Sequence, residues 1–200
     1  MTDRTAPTAH PVHALMTGRW SPRSFDSTPV TAEQTASLLE AARWAASCFN
    51  DQPWHFVVAR RDADAEGFAR LLGLLSANNQ GWAGRAGLLM IAVARTRFAS
   101  NNTPNAVALY DLGQAAAQIG LQAVALGLQA HQMRGFDVER ARVELGVPAD
   151  HEPVAAIAIG NVGLASQLPE PLAAREVALR ARRPIGDFAF SSHWGTKLPA

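Results

Sequence analysis

The chain has 200 residues, of which 48% are hydrophobic and 18% are charged, which is enough apolar material for one globular domain with a sizeable core. Its 18 basic and 17 acidic residues leave a formal net charge of +1, which argues against a nucleic-acid binder or an acidic solvated tail. A single cysteine, Cys48, excludes an internal disulfide and fits a reducing, cytoplasmic location.

The two ends of the chain differ in character from the middle. The polar stretch 1–10 lacks the apolar centre of a signal peptide, and we expect a flexible lead-in there. The longest apolar stretches are too short to span a bilayer, so no membrane partner is expected. A single domain over 11–200 is predicted, and its apolar C-terminal arm, 184–200, needs a surface to cover on its own subunit or on a partner.

Local patterns predict a mixture of helices and strands. Thr31 and Gln34 have the spacing of a capping box, which marks a helix start. The predicted elements, in chain order, are a short helix over Val12–Thr17, a helix from Thr31 with apolar positions as far as Ala46, a loop over Ser47–Pro53, a strand over Trp54–Ala59, a helix over Asp64–Leu75, a buried strand over Leu88–Ala94, a helix over Asn105–Leu128, a short strand over Ala130–Met133, a helix over Val138–Leu145, a buried strand over Pro153–Ile159 and a helix over Leu172–Ala181. This mixture predicts the α+β class.

The long helix contains Gly113, Gly120 and Gly127, spaced seven residues apart and therefore close to one face. Each glycine costs about 1 kcal/mol in helix propensity, so a face that tolerates them usually lets another helix come close. That helix belongs either to the same chain or to a second subunit, and the sequence leaves both interpretations open.

Several common enzyme motifs are missing. The chain has no G-x-G, no phosphate-binding P-loop, no G-x-S-x-G elbow and no H-E-x-x-H, and one cysteine with scattered histidines does not make a zinc site. These absences favour an enzyme whose chemistry resides on a bound cofactor.

The first candidate binding motif is the segment 19–25, Arg-Trp-Ser-Pro-Arg-Ser-Phe. Arg19 and Arg23 flank Ser21, and two planar guanidinium groups with a hydroxyl between them suit a phosphate. The alternative interpretation is a solvated basic turn.

The second motif is the loop within Ala45–Phe56, which places Asn50 and Gln52 just before a strand. Each amide both donates and accepts hydrogen bonds, which suits the edge of a planar heterocycle such as a flavin pyrimidine. Cys48 in this loop is either a reactive thiol or, as is commoner for a lone cysteine among small residues, a packing residue.

The third and fourth motifs lie nearer the C-terminus. In Gln132–Asp137, Gly135 permits a ligand to approach the backbone closely; alternatively, the segment is a strand-to-helix turn with Asp137 as the N-cap. The segment 180–184, Arg-Ala-Arg-Arg-Pro, supplies either further phosphate contacts or cations at a helix C-terminus.

In this order the four motifs resemble the nitroreductase family of NAD(P)H-dependent FMN oxidoreductases. The segment 19–25 is similar to that family's R-x-S-x-R-x-F element, and Ala45–Phe56 to its A-P-S-S-x-N-x-Q-P-W-x-F loop, the most specific match. Asp111–Leu128 resembles its D-x-G-x-A-x-Q helix, 134–137 its G-F-D turn and Gly146–Gly160 its L-G-x-P stretch. Cys48 and Ala46, which stand where serine and proline are common, depart from the pattern.

The resemblance covers about residues 13–196 and implies a nitroreductase-like α+β fold with a central, mainly antiparallel sheet flanked by helices. It also implies an intertwined homodimer that exchanges its C-terminal arms and holds two FMN molecules at the interface.

The resemblance also assigns cofactor-binding residues. It implies that Arg19, Ser21 and Arg23 hold FMN, with Arg19 toward the phosphate and Arg23 on the N1/O2 side of the ring. Asn50 and Gln52 are expected to approach the ring or the ribityl chain, with a structural role for Gln52 as the alternative.

Two further pairs complete the expected set. The backbone of Arg134 and Gly135 is expected to face N5 of the ring. Arg180 and Arg182 are expected to complete the phosphate site, with Arg183 as the alternative if the register shifts by one residue.

The implied activity is an NAD(P)H-dependent FMN oxidoreductase of the nitroreductase type, which passes hydride by a ping-pong mechanism to a small flat acceptor such as a nitroaromatic, quinone or enal. The chemistry would reside on the cofactor, so no catalytic side chain and no metal are expected. Alternative hypotheses are a different flavin reaction such as fragmentation or dehalogenation, a non-catalytic FMN-binding module, and a helical interaction protein without a ligand.

Overall fold

The computed structural model of the chain describes residues 4–199, so the first three residues of the predicted lead-in and the last residue of the predicted arm lie outside the described part. The helices and strands, in chain order, are α1 (Ala14–Gly18), α2 (Ala32–Arg43), β1 (Trp54–Arg60), α3 (Ala65–Leu74), α4 (Ala77–Ala83), β2 (Leu88–Arg95), α5 (Ala108–Ala125), β3 (Gln129–Met133), α6 (Val138–Glu144), β4 (His151–Gly160) and α7 (Leu172–Val177). Single 3₁₀ turns occupy Cys48–Asn50, Ala165–Gln167 and Ile185–Asp187.

The four strands form one sheet in the order β1-β2-β4-β3, and every neighbouring pair is antiparallel. The apolar run of β2 is buried at every position except Arg95, as expected for an interior strand covered on both faces. The predicted α+β class and central antiparallel sheet are confirmed. Strand β4 starts at His151, two residues before the predicted start at Pro153, because His151 pairs with Arg95 and extends the ladder.

Helices cover both faces of the sheet. Alternate β2 residues point to opposite sides, so Leu89 and Ile91 join one core cluster while Leu88 and Met90 join the other. Helices α3, α4 and α6 pack on the first side, and α2 and α5 pack on the second.

Side-chain caps fix several helix starts at the predicted places. Thr31 Oγ1 accepts from the Gln34 N–H while Gln34 Oε1 accepts from the Thr31 N–H, which completes the predicted capping box. Asp64 and Asp137 cap α3 and α6 through their carboxylates, which accept from the N–H groups of Gly67 and Arg140 without a reciprocal bond.

Helix α5 ends three residues before the predicted Leu128, in a left-handed C-cap. Gly127 has φ +75, the Leu128 N–H donates to the Ala123 carbonyl at 2.8 Å, and the Gly127 N–H donates to the Val124 carbonyl at 3.0 Å. These two bonds form a Schellman motif, for which glycine is the favoured residue.

The three evenly spaced glycines therefore have different surroundings. Gly127 is required by the cap; a Cβ at Gly120 would lie 3.7 Å from Cδ of Arg19; and a Cβ at Gly113 would meet no described atom within 4 Å. Gly113 lies on an exposed face of α5, so close packing within the chain explains only Gly120. A subunit contact along this face stays a prediction.

The sequence patterns did not predict helix α4. Helix α4 follows α3 after only two residues, and its N-cap Ser76 makes no side-chain capping bond. Its Trp82 is 2% exposed and stacks on Phe25 with 6.3 Å between ring centroids, so tertiary packing stabilises this helix.

The predicted helix over Leu172–Ala181 is wrong beyond Val177, where α7 ends. Ala178 is extended (φ −60, ψ 146), and its carbonyl and the Arg180 side chain bond to the N-terminal part of the chain instead of continuing the helix. Residues 4–199 contain no helix that is both long enough and apolar enough to cross a membrane.

Candidate functional site

The predicted phosphate-binding segment runs along the outer edge of β3, where two strand side chains hold it. Gln129 donates through Nε2 to the Gly18 carbonyl at 3.0 Å and accepts at Oε1 from the Trp20 N–H at 3.1 Å. His131 Nδ1 lies 2.8 Å from the Pro22 carbonyl oxygen, which only accepts, so the ring donates from this nitrogen.

A buried carboxylate fixes the far end of the same segment. Glu176 of α7 is 4% exposed, and it accepts from the N–H groups of Arg23 and Ser24, each at 2.8 Å. Sequence reasoning missed Glu176, Gln129 and His131 because each acts on a segment more than a hundred residues away.

The segment opens onto a small cationic cavity of about 180 Å³. Five of the residues predicted from the two ends of the chain line it together: Arg19, Ser21, Arg23, Arg180 and Arg182. The remaining lining residues are Arg4, Trp20, Arg175 and Glu176. We call this space the arginine cavity. Among residues 4–199, Glu176 is the only acid that lines it, and its carboxylate is already bonded to two backbone N–H groups.

The positive charges of the arginines in this cavity repel one another. Burial lowers the pKa of Arg19, and neighbouring Arg182 lowers it further. Burial likewise lowers the pKa of Arg180, with added effects from Arg19, Arg182 and Arg4. An anion placed among these groups would relieve the repulsion, so the cavity is suited to a multiply charged anion.

The predicted arginines do not play equal parts. Arg180 donates to the carbonyl oxygens of Thr17 at 2.8 Å and Arg19 at 2.7 Å, so its guanidinium positions the backbone of the segment. Arg182 lines the arginine cavity, whereas the guanidinium of Arg183 lies over the ring of Phe188. Arg19 Nη1 reaches Ser21 Oγ at 3.4 Å.

A second cavity of about 320 Å³ adjoins the first and shares Arg19 and Ser21 with it. Its other lining residues, mostly apolar, come from α1, α5 and β3: Met16, Ala117, Gly120, Leu121, Ala130 and Gln132. Arg19 and Ser21 therefore lie at the junction of a cationic space and a largely apolar one.

The loop carrying Asn50 and Gln52 has an uncommon backbone conformation. Phe49, Asn50 and Gln52 have φ values of 52, 56 and 49, and both amide residues, Asn50 and Gln52, are exposed. Gln52 also stabilises the loop by hydrogen bonds within it: its Nε2 donates to the Asn50 carbonyl at 3.1 Å, and its backbone N–H donates to Ser47 Oγ at 3.0 Å. Left-handed conformations at non-glycine residues persist only where surrounding contacts enforce them.

Two carboxylates enforce that conformation. Asp111, 2% exposed, accepts from the Cys48 N–H at 3.0 Å. Asp51 accepts from the Ala99 N–H at 2.8 Å and pairs with Arg95 at 3.0 Å. Burial raises the pKa of Asp51, but the bonds from Ala99 and Arg95 outweigh it, so the carboxylate stays charged.

Within one chain this loop does not meet the arginine cavity. The loop precedes Trp54 of β1, which lies at the level of Glu152 on β4 because both residues pair with the same residue of β2. Gln129, which lies beside the cavity, pairs with Gly160 at the other end of β4. Glu152 and Gly160 are about 27 Å apart along β4 at roughly 3.4 Å per residue, and β1 and β3 are opposite edges of the sheet. A single ligand molecule contacting both groups would have to lie between two chains.

The turn at Gly135 is held by contacts within the chain. The Gly135 carbonyl accepts from the Ser76 N–H at 2.9 Å and from Asn79 Nδ2 at 3.0 Å, and Asp137 is the N-cap of α6, as one interpretation predicted. The Arg134 guanidinium lies over the ring of Phe136, 5.3 Å from its centroid.

Replacing Gly135 with Ala should destabilise the protein. A Cβ there would lie 2.5 Å from Asn79 Nδ2, which forces a shift that costs about 1–3 kcal/mol. Urea unfolding of G135A, of Asn79→Ser and of the double variant would test this. The double variant should recover part of the loss, and purely additive effects would contradict the steric explanation.

Acid should weaken the fold through His131. Burial lowers the pKa of this imidazole and is only partly offset by the bond to the Pro22 carbonyl. The unfolded chain therefore takes up the proton first, and stability falls as the pH drops below about 6.5. Unfolding of the parent and of H131N should be compared between pH 7.5 and pH 5. His55, whose pKa burial also lowers, contributes to both proteins, so H131N should show a shallower loss; identical slopes would refute the assignment.

Comparison with known proteins identifies the family. The sequence model of the Nitroreductase family matches residues 16–161, which is most of the chain. This chain belongs to the nitroreductase family. The resemblance drawn from the four motifs is confirmed.

Individual members resemble this nitroreductase-family chain to different extents. A solved structure described as an oxidoreductase containing FMN has a TM-score of 0.91 and 35% identity, over 98% of this chain and 100% of that one. An uncharacterised 15.4 kDa protein of Mycolicibacterium smegmatis is 36% identical over 149 residues, which is 72% of this chain and 99% of that protein. The major NAD(P)H-flavin oxidoreductase of Aliivibrio fischeri is 42% identical over 55 residues, 27% of this chain and 25% of that enzyme.

The family match ends before α7 and begins after the N-terminal segment. The arginine cavity of this nitroreductase-family chain therefore combines residues inside the matched stretch, such as Arg19, with residues outside it, such as Arg4, Glu176 and Arg182.

Proposed function

We propose that this chain is an NAD(P)H-dependent FMN oxidoreductase that acts as a homodimer. The observation that carries the proposal is the arginine cavity, which joins residues from both ends of the chain and opens at Arg19 and Ser21 onto a mostly apolar space. A flavin mononucleotide has matching parts, since it carries a phosphate dianion at one end and a flat, largely apolar ring system at the other.

The donor set fits the phosphate. Arg19 and Arg182 would bind its oxygens through guanidinium N–H groups and Ser21 through its hydroxyl. Arg180 would hold the segment in place from behind, because its donors already bond to backbone carbonyls. The hydrogen bonds that Arg23 makes within residues 4–199 come from its backbone N–H, which leaves its guanidinium for the N1/O2 side of the ring.

The remaining predicted contacts support a site shared between two chains. Asn50 and Gln52 lie too far from Arg19 to bind the same molecule within one chain, so a second copy would supply them. Exposed apolar side chains support such a partner: Tyr110 on α5 is 71% exposed, Leu179 98% and Trp194 93%. Leu179 and Trp194 follow α7 in the chain, as expected of an arm that crosses to another subunit.

When bound, FMN supplies the redox chemistry, because it accepts hydride from NAD(P)H and returns the electrons to an acceptor. The chain's own part is to orient the cofactor. Asp51 and Asp111 would keep the Asn50 loop in its left-handed conformation, and Gly135 would present its backbone toward the ring. Donor and acceptor would use the same open face in turn, so small flat acceptors such as nitroaromatics, quinones or enals are proposed.

Steady-state oxidation of NADH and of NADPH tests this proposal. The purified protein, saturated with FMN, is assayed with menadione and with a nitroaromatic, and each pyridine nucleotide is titrated at a fixed acceptor concentration. Turnover that depends on both substrates and gives parallel double-reciprocal lines is expected. Bound FMN without turnover would overturn the enzymatic assignment and indicate a non-catalytic flavin module, and turnover without FMN would overturn the assignment of the cofactor.

A further inference from the structure

We propose that Arg4 is a further ligand of the cofactor phosphate, so that residues 4–6 form a strap across the phosphate end of the site. This inference rests on the proposed function. The family match begins at residue 16, and none of the four sequence motifs includes Arg4, so its place in the site comes from the fold alone.

The position of the Arg4 side chain supports this role. Arg4 lines the arginine cavity together with Arg19 and Arg182. Its guanidinium carbon lies 4.9 Å from the centroid of the Trp20 ring, and its Nη1 donates to the Ala178 carbonyl at 2.6 Å. The group is thus held in one orientation by a ring face and a carbonyl.

One donor of this guanidinium lacks an acceptor. Arg4 Nε is buried and has no hydrogen-bond partner in the described part of the chain. A buried N–H without an acceptor is unfavourable, and charged donors lose more than neutral ones. Because the Nε is enclosed, an anion in the arginine cavity would offset this cost through the charge of the guanidinium as a whole.

The backbone of the segment is attached to the same loop that carries Arg19. The Ala6 N–H donates to the Thr17 carbonyl at 2.9 Å, and Arg180 donates to the carbonyls of both Arg4 and Thr17. A phosphate bound between Arg19 and Arg4 would therefore connect two segments that Arg180 already holds side by side.

Charge explains why the strap would respond to the cofactor. Arg4, Arg19 and Arg182 surround Arg180 closely enough to lower its pKa, although burial is the larger cause. Without an anion these positive charges repel one another, which weakens the attachment of Arg4 to the Trp20 ring and the Ala178 carbonyl. A bound phosphate dianion attracts all of these guanidinium groups, which outweighs their mutual repulsion and should keep Arg4 in the cavity.

Affinities for FMN and riboflavin separate a phosphate contact from a structural role, because riboflavin has the same ring but no phosphate. The parent, Arg4→Ala, Arg19→Ala and the control Arg70→Ala, an exposed arginine on α3, are titrated with both flavins by fluorescence quenching. We expect R4A and R19A to weaken FMN binding by about tenfold or more while leaving riboflavin binding unchanged, since charge-assisted bonds of this kind correspond to such factors. R70A should match the parent.

Three results would overturn the inference. If R19A weakens FMN binding selectively and R4A does not, Arg4 is no phosphate ligand, although the proposed function stands. If R4A weakens both flavins equally, Arg4 supports the fold and does not contact the phosphate. If R19A and R4A both leave FMN binding unchanged, the proposed phosphate site itself is wrong.

A second measurement needs no variant. Trypsin cleaves after Arg4 only when this side chain leaves the cavity, and loss of the first four residues is followed by intact mass. Saturating FMN should slow this cleavage by about tenfold or more relative to saturating riboflavin, because the phosphate contact that holds Arg4 in the cavity corresponds to a factor of about ten or more. Equal protection by the two flavins would contradict the strap.

Discussion

Replacing Arg19 with Ala should reduce the affinity for FMN by about tenfold or more, the largest effect on binding that we expect from one side chain. Arg19 lies where the arginine cavity meets the apolar cavity, and its Nη1 is within 3.4 Å of Ser21 Oγ. Each charge-assisted hydrogen bond lost would cost about 1.5–3 kcal/mol, and about 1.4 kcal/mol corresponds to one factor of ten. Equilibrium titration with FMN, followed by fluorescence, gives the ratio directly.

Arg19→Lys is the matched variant for this measurement. Lysine keeps the charge but loses the planar pair of donors, so an affinity between those of the parent and R19A is expected. An R19A protein that binds FMN as tightly as the parent would refute the phosphate role, and an R19K protein as weak as R19A would show that geometry outweighs charge.

Replacing Glu176 with Ala should cause the largest loss of stability at the site, about 3 kcal/mol or more, because two backbone N–H groups, those of Arg23 and Ser24, lose their acceptor. The loss arises without any cofactor, so urea unfolding of the apo protein is the measurement. Because the carboxylate is 4% exposed, little water is available to replace it.

Glu176→Gln separates the bonds from the charge. A single oxygen, Oε1, accepts from both N–H groups at 2.8 Å, and the amide oxygen of glutamine can do the same. We expect Glu176→Gln to lose less than half of what Glu176→Ala loses. Equal losses would assign the effect to the charge among the arginines, and no loss in either variant would contradict the anchoring role.

Sequence reasoning succeeded where the signal is local. The capping box at Thr31 and the N-caps at Asp64 and Asp137 fixed three helix starts, and the apolar run of β2 identified an interior strand. Each of these signals depends on residues within a few positions of one another, so the printed sequence contains the whole cause.

The same reasoning failed where a distant contact decides the structure. Helix α4 has no side-chain cap and is held by the burial of Trp82 against Phe25, 57 positions away in the chain. The helical pattern continues to Ala181, but α7 stops at Val177, since Arg180 instead donates to carbonyls near the N-terminus.

The candidate site shows the same division. The arginines and Ser21 were recognisable because a phosphate needs those groups at close spacing, and they line one cavity as expected. Gln129, His131 and Glu176, which hold the segment in place, follow no motif, because a buried acceptor is specified by three-dimensional position and not by spacing.

The most direct test of a cofactor clamped between two chains is the FMN content of a mixed dimer. One chain carries Arg19→Ala, and the other carries Asn50→Gly and Gln52→Gly, in which glycine suits the left-handed φ values of 56 and 49. The two chains are co-expressed with different affinity tags, and dimers that carry both tags are titrated with FMN. If each site takes Arg19 from one chain and Asn50 from the other, one site of the mixed dimer contains all the substitutions and the other contains none. Half of the FMN sites should therefore bind with the parent affinity. A mixed dimer without any site of parent affinity, or a protein that forms no dimer, would contradict the account.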